Sequence, residues 1–246
     1  DLKISLIPEK VNQFFKTKIT NILSKFGTEN STAEMTQESI LAQSLIILLS
    51  GFDTTSTLLC FAAYLLATDP EIQTRLQKEV DSALKNQEVT YDVVKGIKYL
   101  DMVLSETLRL HPPAVSTDRI CVKRYGLDAE PGIELKPGDH VLIPIYGLHR
   151  DPKHFPQPER FDPERFSDQN RHKIKPFTYM PFGQGPRCCL GTDFAKMQVK
   201  LLLVHLLAHY NFKVISKTPV PLKLVHIGFN LTADKGFWLG LEKRTS

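Results

Sequence analysis

The sequence has little of several features that would define a class of protein at once. Only four cysteines and one tryptophan occur in 246 residues. The cysteines, at positions 60, 121, 188 and 189, show no paired spacing typical of a zinc site or a disulfide framework. Adjacent Cys188 and Cys189 would bridge each other only in a strained geometry. The lack of a disulfide pattern favours a reducing compartment facing the cytosol.

The sequence also lacks a large excess of either positive or negative charge. The 31 Lys and Arg residues exceed the 27 Asp and Glu residues by a net charge of +4, and no block of like charges extends beyond Lys123-Arg124. A nucleic-acid-binding surface normally shows as a basic cluster, so we expect no nucleic-acid partner. The scattered basic residues are typical of a solvated surface, or of a docking face for an acidic partner.

Long apolar runs are lacking as well. The longest, Leu58 to Ala67, is shorter than the roughly 18 residues expected of a membrane-spanning helix. Asp53 interrupts the wider apolar segment Leu41 to Ala67, where a charge would be costly in lipid. We therefore predict a central helix buried in a soluble domain. The chain begins at Asp1 without a methionine, signal peptide or apolar anchor, so we expect it to be a piece of a longer protein.

The apolar residues that are present mostly follow a helical spacing. The predicted helices are 11–26, a long helix from an N-cap at Thr36 to Ala67, one that Asp69-Pro70 begins and Leu84 ends, Lys98 to Leu110, and Thr192 to His209. Short strands are predicted at 120–123, 132–135, 141–144, 211–215, 221–226 and 236–241, and a long proline-rich coil at 149–181. The expected fold class is mainly α with small β-sheets.

The last of these helices carries an apolar stripe. We expect it to bury one face, made of Phe194, Met197, Leu201, Leu202, Val204 and Leu207. His205 and His209 stand four residues apart on the same helix and could bind a metal. The residues between them include no glutamate base, and the sequence shows no third ligand. Histidines favoured by the helix dipole are the simpler interpretation.

Glu106 and Arg109 lie three residues apart on one helix face, close enough to pair. Such a pair is most often an ordinary surface ion pair of little consequence. Leucines flank this face, however, so a partly buried pair that seeks further partners is credible. Arg165, from the proline-rich coil, could complete it.

A polar knot, Ser50 to Ser56, interrupts the long apolar helix. Asp53 and Thr54 are poor interior helix residues because their side chains compete for backbone hydrogen bonds, and Gly51 weakens the same turn. One interpretation is a local kink that helps packing. The functional interpretation is a widened turn that carries a hydroxyl and a carboxylate to a reaction centre, where they pass protons.

The stretch Phe182 to Gly191 combines three glycines, a proline, an arginine and thiols directly before a predicted helix. This predicts a rigid loop that presents a sulfur at a helix N-terminus, where partial positive charge favours a thiolate. The glycines let the backbone approach something flat and bulky, and Arg187 supplies a cation for an anionic group. A lone thiolate with a nearby basic group is what haem ligation requires.

The pattern Phe182-x-x-Gly185-x-Arg187-x-Cys189-x-Gly191-x-x-x-Ala195 resembles the haem-binding signature of the cytochrome P450 family at every fixed position. Three further motifs resemble family elements in the family's order: Ser50-Gly51-Phe52-Asp53-Thr54-Thr55 the oxygen-activation motif, Glu106-Thr107-Leu108-Arg109 the Glu-x-x-Arg element, and Pro163-Glu164-Arg165-Phe166 its partner. The residues at 99–103 and 149–152 are similar to those of microsomal members, particularly the insect detoxification branch and vertebrate drug-metabolising relatives. The resemblance implies the C-terminal portion of the P450 fold, with 1–246 as a single partial domain and the N-terminal half absent.

This resemblance implies roles for particular residues. Cys189 would be the thiolate ligand of the iron in haem b, iron protoporphyrin IX, with Arg187 and Arg119 on its propionates. Asp53 and Thr54 would relay protons for oxygen activation, while Glu106, Arg109 and Arg165 would hold the core around the cofactor. The other expected cofactor contacts are Ser50, Phe182, Gly183, Gly191 and Ala195. The expected substrate contacts are Leu49, Ser50, Ala114, Val115, Thr117 and Phe229.

The resemblance also implies an activity. A family member of this type is a monooxygenase that inserts one oxygen atom from O2 into a lipophilic small molecule, with electrons from NADPH-cytochrome P450 reductase. It would lie at the cytosolic face of the endoplasmic reticulum membrane, anchored through the N-terminal part. Two alternatives stay open: a truncated, non-catalytic haem-binding fragment, and a helical protein with a structural metal at the histidines.

Overall fold

A computed structural model describes residues 36–85, 87–127, 132–227 and 230–245. The helices are α1 Gln37–Thr68, α2 Pro70–Leu84, α3 Tyr91–Gly96, α4 Lys98–Leu110, α5 Ile145–Arg150 and α6 Thr192–His209. The strands are β1 Thr117–Ile120, β2 Tyr125–Gly126, β3 Glu134–Leu135, β4 His140–Ile143, β5 Tyr210–Lys213, β6 Leu224–Ile227, β7 Asn230–Ala233 and β8 Gly240–Lys243. Single 3₁₀ turns occur at Pro163–Phe166, Arg171–Lys173 and Gly185–Arg187. The predicted fold class, mainly α with small sheets, is confirmed.

The four long helices follow the predicted bounds closely because local signals define their ends. Thr36 caps α1, since its hydroxyl accepts a hydrogen bond from the Ser39 N–H at 3.2 Å. Asp69 caps α2 in the same way by accepting from the Ile72 N–H at 3.1 Å, and Pro70 occupies the first helical position. The predicted helix at 11–26 lies outside the described residues.

The sheets differ more from the prediction. The described strands form antiparallel pairs, β1 with β4, β2 with β3, β5 with β8 and β6 with β7. The first strand is Thr117–Ile120 and not 120–123, because its register on β4 pairs Thr117 with Ile143. Strand β7 was not predicted at all. The short helices α3 and α5 were missed too, since six residues are too few to show a helical period.

The chain divides into two compact units, Asp1–Asp53 and Thr54–Ser246. The described part of the first unit is the beginning of α1. Its apolar side chains are largely exposed, with Ile47 at 73% and Phe52 at 71% of their full accessibility. The predicted burial of the central helix is therefore not observed for this part, although the length of α1 was predicted correctly.

In the second unit the remainder of α1 is buried. Phe61, Ala62 and Leu66 have no exposed surface, and Ala62 and Leu66 belong to a cluster formed with residues of α2, α4 and α6. By length and composition alone, Ser39–Thr68 could also cross a membrane. A core helix of a globular protein passes the same test, and the burial of the segment from Phe61 to Ala67 within the protein favours that interpretation.

Buried polar side chains join the helices of this core. The Gln73 side chain donates from Nε2 to the Leu66 and Phe212 carbonyls and accepts the Phe212 N–H at 2.7 Å, so it ties the end of α1 to β5. Glu79 of α2 accepts the N–H groups of Lys98 and Tyr99, at 3.1 and 2.9 Å. The N-cap residue of α4 makes no side-chain hydrogen bond to the first turn. The Glu79 carboxylate accepts from these two free N–H groups instead, and its negative charge interacts favourably with the helix dipole.

Helix α6 buries a different face from the one predicted. Val204 and Leu207 are buried as expected, but Phe194, Leu201 and Leu202 are exposed. The buried face also includes Val199, Lys200 and Leu203. The ammonium of Lys200 contacts the Asp101 carboxylate of α4 at 2.6 Å, and this ion pair lets a lysine lie inside the interface. The helix is apolar on most of its sides, so its own sequence does not define the buried one.

Candidate functional site

The loop before α6 is held in shape by its own backbone. The Cys189 N–H donates to the Phe182 carbonyl at 2.9 Å, and the Gly183 N–H donates to the Met180 carbonyl at 3.0 Å. Gly183 and Gly185 have positive φ angles of 71° and 79°, which side chains with a Cβ rarely adopt. The loop therefore returns on itself and places Cys189 three residues before Thr192, the first residue of α6.

The outer surface of this loop carries the thiols. Cys188 and Cys189 are both exposed and free, whereas Cys60 and Cys121 are free but half-buried. At the N-terminus of α6, Gly191 is the cap residue, and its carbonyl accepts the Ala195 N–H at 2.8 Å. The Phe182 ring lies on the inner side of the loop, with the Lys196 ammonium 5.5 Å from its centroid.

The surroundings of Cys189 fit a flat, apolar and acidic cofactor such as haem. Leu190 is fully exposed next to it, and Phe194 is 67% exposed one turn into α6. Exposed apolar groups of this size beside a thiol indicate a surface that a bound group covers. Arg187 is exposed on the same loop, and among the described residues it has no acidic partner. A free guanidinium can pair with a carboxylate of that group.

The predicted trio Glu106, Arg109 and Arg165 lies together in the second unit. The side chains of Glu106 and Arg109 are completely buried, and Arg109 donates to both carboxylate oxygens, at 2.7 and 2.8 Å. Arg165 donates to Glu106 at 3.3 Å from the 3₁₀ turn, and the Asp162 N–H donates at 3.0 Å. Burial raises the pKa of Glu106, and the hydrogen bonds and charge of Arg109 act against burial.

Arg109 also has partners that the sequence did not reveal. Its Nη1 donates to the His149 carbonyl at 2.8 Å, and its Nη2 donates to the Arg160 carbonyl at 3.2 Å. The imidazole of His149 is fully buried, and its Nε2 accepts the Met180 N–H at 2.9 Å. Burial is the main cause that lowers the pKa of His149 to about 4. The likeness of 149–152 to family members includes this histidine but does not reveal its contacts, because its partners lie 31 and 40 residues away.

The predicted substrate contacts after α4 lie beside the C-terminal hairpin. The Leu231 N–H donates to the Pro113 carbonyl at 3.0 Å, which places β7 next to Ala114. The Val115 carbonyl accepts the Tyr146 N–H of α5 at 2.9 Å. Ala114 is exposed, and Val115 is half-buried. Phe229 lies outside the described residues.

Arg119 is half-buried in β1. Its guanidinium donates to the Thr117 hydroxyl at 3.0 Å and to the Asp118 carbonyl at 2.6 Å. Thr117, a predicted substrate contact, is therefore a local partner of the arginine predicted to bind a propionate. Neither interaction involves a carboxylate, so the positive charge of Arg119 stays available to an acidic group.

The polar knot of α1 spans the boundary between the two units. Leu49, Ser50 and Asp53 are exposed in the first unit, and Thr54 begins the second unit as a half-buried residue. The Ser50 hydroxyl donates to the Ile46 carbonyl at 2.6 Å, a bond within the helix. The helical assignment runs unbroken from Gln37 to Thr68. The widened turn that we considered is thus not observed, because the α-helical backbone continues through these residues.

The alternative metal site at His205 and His209 gains no support. Both histidines are exposed on α6. Within the described parts of the chain, no group of three or more His, Cys, Asp or Glu residues is placed to hold a metal ion. A single cysteine thiol is enough to ligate haem iron, so this finding leaves the cysteine loop as the candidate centre.

Comparison with known proteins agrees with the geometry. A sequence profile described as Cytochrome P450 matches residues 9–239. The chain therefore belongs to the cytochrome P450 family, as the four motifs predicted. It is 56% identical over 246 residues to cytochrome P450 9e2 of Blattella germanica, covering 97% of this chain and 46% of that protein.

Other similar proteins come from an insect and a mammal. Probable cytochrome P450 9f2 of Drosophila melanogaster is 40% identical over 96% of this chain and 46% of its own length. Cytochrome P450 3A6 of Oryctolagus cuniculus is 41% identical over 91% of this chain and 48% of its own length. The predicted likeness to insect members and vertebrate relatives is confirmed. The chain spans about half the length of the curated relatives it matches.

Proposed function

We propose that this chain carries the cofactor site of a haem-thiolate monooxygenase, which inserts one oxygen atom from O2 into a lipophilic small molecule. The observation that carries the proposal is the cysteine loop. It holds an exposed Cys189 thiol beside exposed Leu190 and Phe194 and an arginine without an acidic partner. The chain also belongs to the cytochrome P450 family, whose members bind haem.

The cofactor in this proposal is haem b, iron protoporphyrin IX. Its two propionates need cationic partners. Among the described residues neither Arg187 nor Arg119 has a carboxylate partner, so both guanidiniums can serve. Cys189 would supply the thiolate ligand, while Phe182, Gly183, Gly191 and Ala195 would form the backbone and packing surface around it. Ser50 is the remaining cofactor contact that we propose, because it belongs to the motif that resembles the family's oxygen-activation element. When bound, haem supplies the oxygen-activating chemistry that protein side chains lack.

The protein's own polar residues would manage protons and substrate. The Thr54 hydroxyl and Asp53 carboxylate can each hold and pass a proton in an otherwise apolar helix. Leu49, Ser50, Ala114, Val115, Thr117 and Phe229 would line the substrate space, which suits a lipophilic molecule. Glu106, Arg109 and Arg165 would hold the core rather than react, because their side chains are buried in mutual contacts.

The proposed setting is the cytosolic face of the endoplasmic reticulum membrane, with NADPH-cytochrome P450 reductase as the electron donor. Four free cysteines are compatible with the reducing side of that membrane. We further propose that residues 1–246 belong to one P450 domain, of which they are a part. A second candidate function is haem binding without turnover by this chain alone. It is favoured by the match to only 46% of the cockroach protein's length.

Cys189→Ala is expected to abolish the strongly red-shifted Soret band that the reduced, haem-loaded protein shows under carbon monoxide. The reason is that, among the described cysteines, only Cys189 has its backbone N–H bonded to the Phe182 carbonyl directly before α6. Cys188→Ala is the matched control, since it removes a neighbouring exposed thiol and should leave the band intact. Absence of haem uptake by the unmodified protein would refute both candidate functions. Haem uptake without substrate oxidation in the presence of reductase would select the second.

Thr54→Ala is expected to leave haem binding unchanged and to raise the yield of hydrogen peroxide per electron pair, because loss of a proton-transfer group slows the productive step by about a hundredfold or more. The measurement compares NADPH consumed, peroxide released and product formed. Thr57→Ala, which removes a buried hydroxyl one turn further along α1, serves as the control. Equal coupling in the Thr54 variant and in the unmodified protein would remove Thr54 from the proton relay.

A further inference from the structure

Beyond the thiol itself, the structure connects the buried ion pair to the cysteine loop through one side chain. Arg109 donates to the main-chain carbonyl of His149, and the imidazole of the same residue accepts the Met180 N–H. Met180 is buried and stands two residues before Phe182, where the loop begins. His149 therefore contacts the ion pair through its backbone and the loop entry through its side chain.

The connection continues within the loop. The Met180 carbonyl accepts the Gly183 N–H at 3.0 Å, and the Phe182 carbonyl accepts the Cys189 N–H at 2.9 Å. The direction of the Met180 peptide thus influences where the turn at Gly183 forms and where the Phe182 carbonyl points. A shift at Met180 would be passed to the Cys189 backbone through two hydrogen bonds and three covalently linked residues.

The imidazole of His149 is itself held in a fixed orientation. The Tyr179 ring stacks on it with centroids 5.2 Å apart, and the Tyr179 hydroxyl donates to the Ser105 carbonyl of α4 at 3.0 Å. The Phe155 ring lies at its edge, 6.4 Å away. These contacts fix the rotamer of the imidazole. The position of Nε2 is therefore set, and the Met180 N–H has to point towards it.

Only a neutral imidazole can accept the Met180 N–H, because a protonated ring donates from both nitrogens. The charged groups that face His149 are Arg109 and Arg150, and both act with burial to disfavour a second positive charge there. The acceptor is therefore present throughout the neutral pH range. Its role does not depend on titration.

From this geometry we infer that His149 is a positioning residue for the thiolate: it transmits the placement of the Glu106–Arg109 pair to the cysteine loop through the Met180 amide. The inference rests on the proposed haem-thiolate function. It adds a residue that acts on the ligand without touching the cofactor.

The test compares side chains at position 149 by whether they present an acceptor to Met180. His149→Gln places an amide oxygen close to the position of Nε2, whereas His149→Asn is too short to reach and His149→Leu has no acceptor. His111→Leu is the matched control, because it removes another buried imidazole that makes no hydrogen bond to the loop. All variants are measured as the haem-loaded protein and after haem removal.

Two readouts separate positioning from general stability. Amide hydrogen exchange of residues 180–189 is expected to accelerate about tenfold in His149→Leu and His149→Asn, the size typical of one lost buried hydrogen bond. In the same two variants most of the red-shifted carbon monoxide band should convert to the band of a protein without thiolate ligation. His149→Gln should restore both readouts, and His111→Leu should leave both near those of the unmodified protein.

Each other outcome overturns the inference. If His149→Gln resembles His149→Asn, or if His111→Leu disturbs the loop as strongly, then His149 matters only for general packing. Should His149→Leu fail to fold, the comparison of Gln with Asn decides the question alone. Should the unmodified protein take up no haem, the proposed function fails, while amide exchange of the haem-free protein still tests the link from His149 to the loop.

Discussion

Glu106→Ala is expected to destabilise the protein by about 3 to 5 kcal/mol, the usual cost of removing one partner from a buried ion pair. The Arg109 guanidinium would remain inside the core with only the His149 and Arg160 carbonyls as acceptors. The Asp162 N–H would also lose its acceptor, and Arg165 would keep only its hydrogen bond to the Gln157 carbonyl. Urea unfolding followed by circular dichroism measures the loss.

The control for this prediction is an ion pair of the same chemistry at the surface. Glu134 contacts Arg124 at 3.2 Å, and both side chains are well exposed. Glu134→Ala should change the free energy of unfolding by less than about 1 kcal/mol, since exposed pairs are screened by water and salt. A loss of similar size for Glu106→Ala and Glu134→Ala would contradict the assignment of Glu106 to the core. A Glu106→Ala protein of normal stability that no longer takes up haem would place its role at the cofactor instead.

The elements that the sequence predicted well are those with local causes. Thr36 and Asp69 cap α1 and α2 with side chains three residues from their partners. The Glu106–Arg109 pair needs only the geometry of one helical turn. The loop from Phe182 to Gly191 follows from glycines that tolerate positive φ angles and from the helix that comes after it. All of these can be inferred from neighbours in the chain.

The elements that the sequence did not predict depend on distant partners. Lys200 lies in the buried face of α6 because Asp101, on another helix, neutralises its charge. The exposed side of Phe194 and Leu201 could not be recognised, since α6 is apolar nearly all round and its partners decide which side is covered. The role of His149 depends on Arg109 and Met180, which approach it from opposite directions in the chain. Contacts of this kind leave no period and no motif.

The second large expected effect is a loss of folding stability at acidic pH. Stability is expected to fall by about 1.4 kcal/mol per pH unit for each of two buried histidines, once the pH drops below the ordinary histidine pKa of about 6.5. Burial lowers the pKa of His149 to about 4 and that of His111 to about 3, with help from nearby arginines. The unfolded chain binds these protons first, so the stability contributed by the neutral rings is complete above about 6.5. It is lost progressively as the pH falls below about 6.5, and the loss is complete once the pH has passed about 4 for His149 and about 3 for His111.

The contribution of His111 to this pH dependence can be removed by a substitution that changes the shape of the side chain little. Its ring stacks on Phe61 with centroids 4.3 Å apart and an angle of 7°, and its buried Nδ1 has no hydrogen-bond partner among the described residues. His111→Phe should therefore keep the stack and remove a group that resists protonation. Urea unfolding at a series of pH values between 7 and 4 measures the slope of stability against pH in the unmodified protein and in the variant.

The variant should lose about half of that slope and become the more stable protein at the acid end, because a phenyl ring has no proton to bind. A slope unchanged by His111→Phe would mean that carboxylates, and not the buried histidines, govern acid unfolding. His149→Gln should remove the remaining histidine share. If only His149→Gln flattened the slope, the acid-sensitive contact would be the one between α5 and the entry to the cysteine loop, and acid would act first on the site of the proposed thiolate.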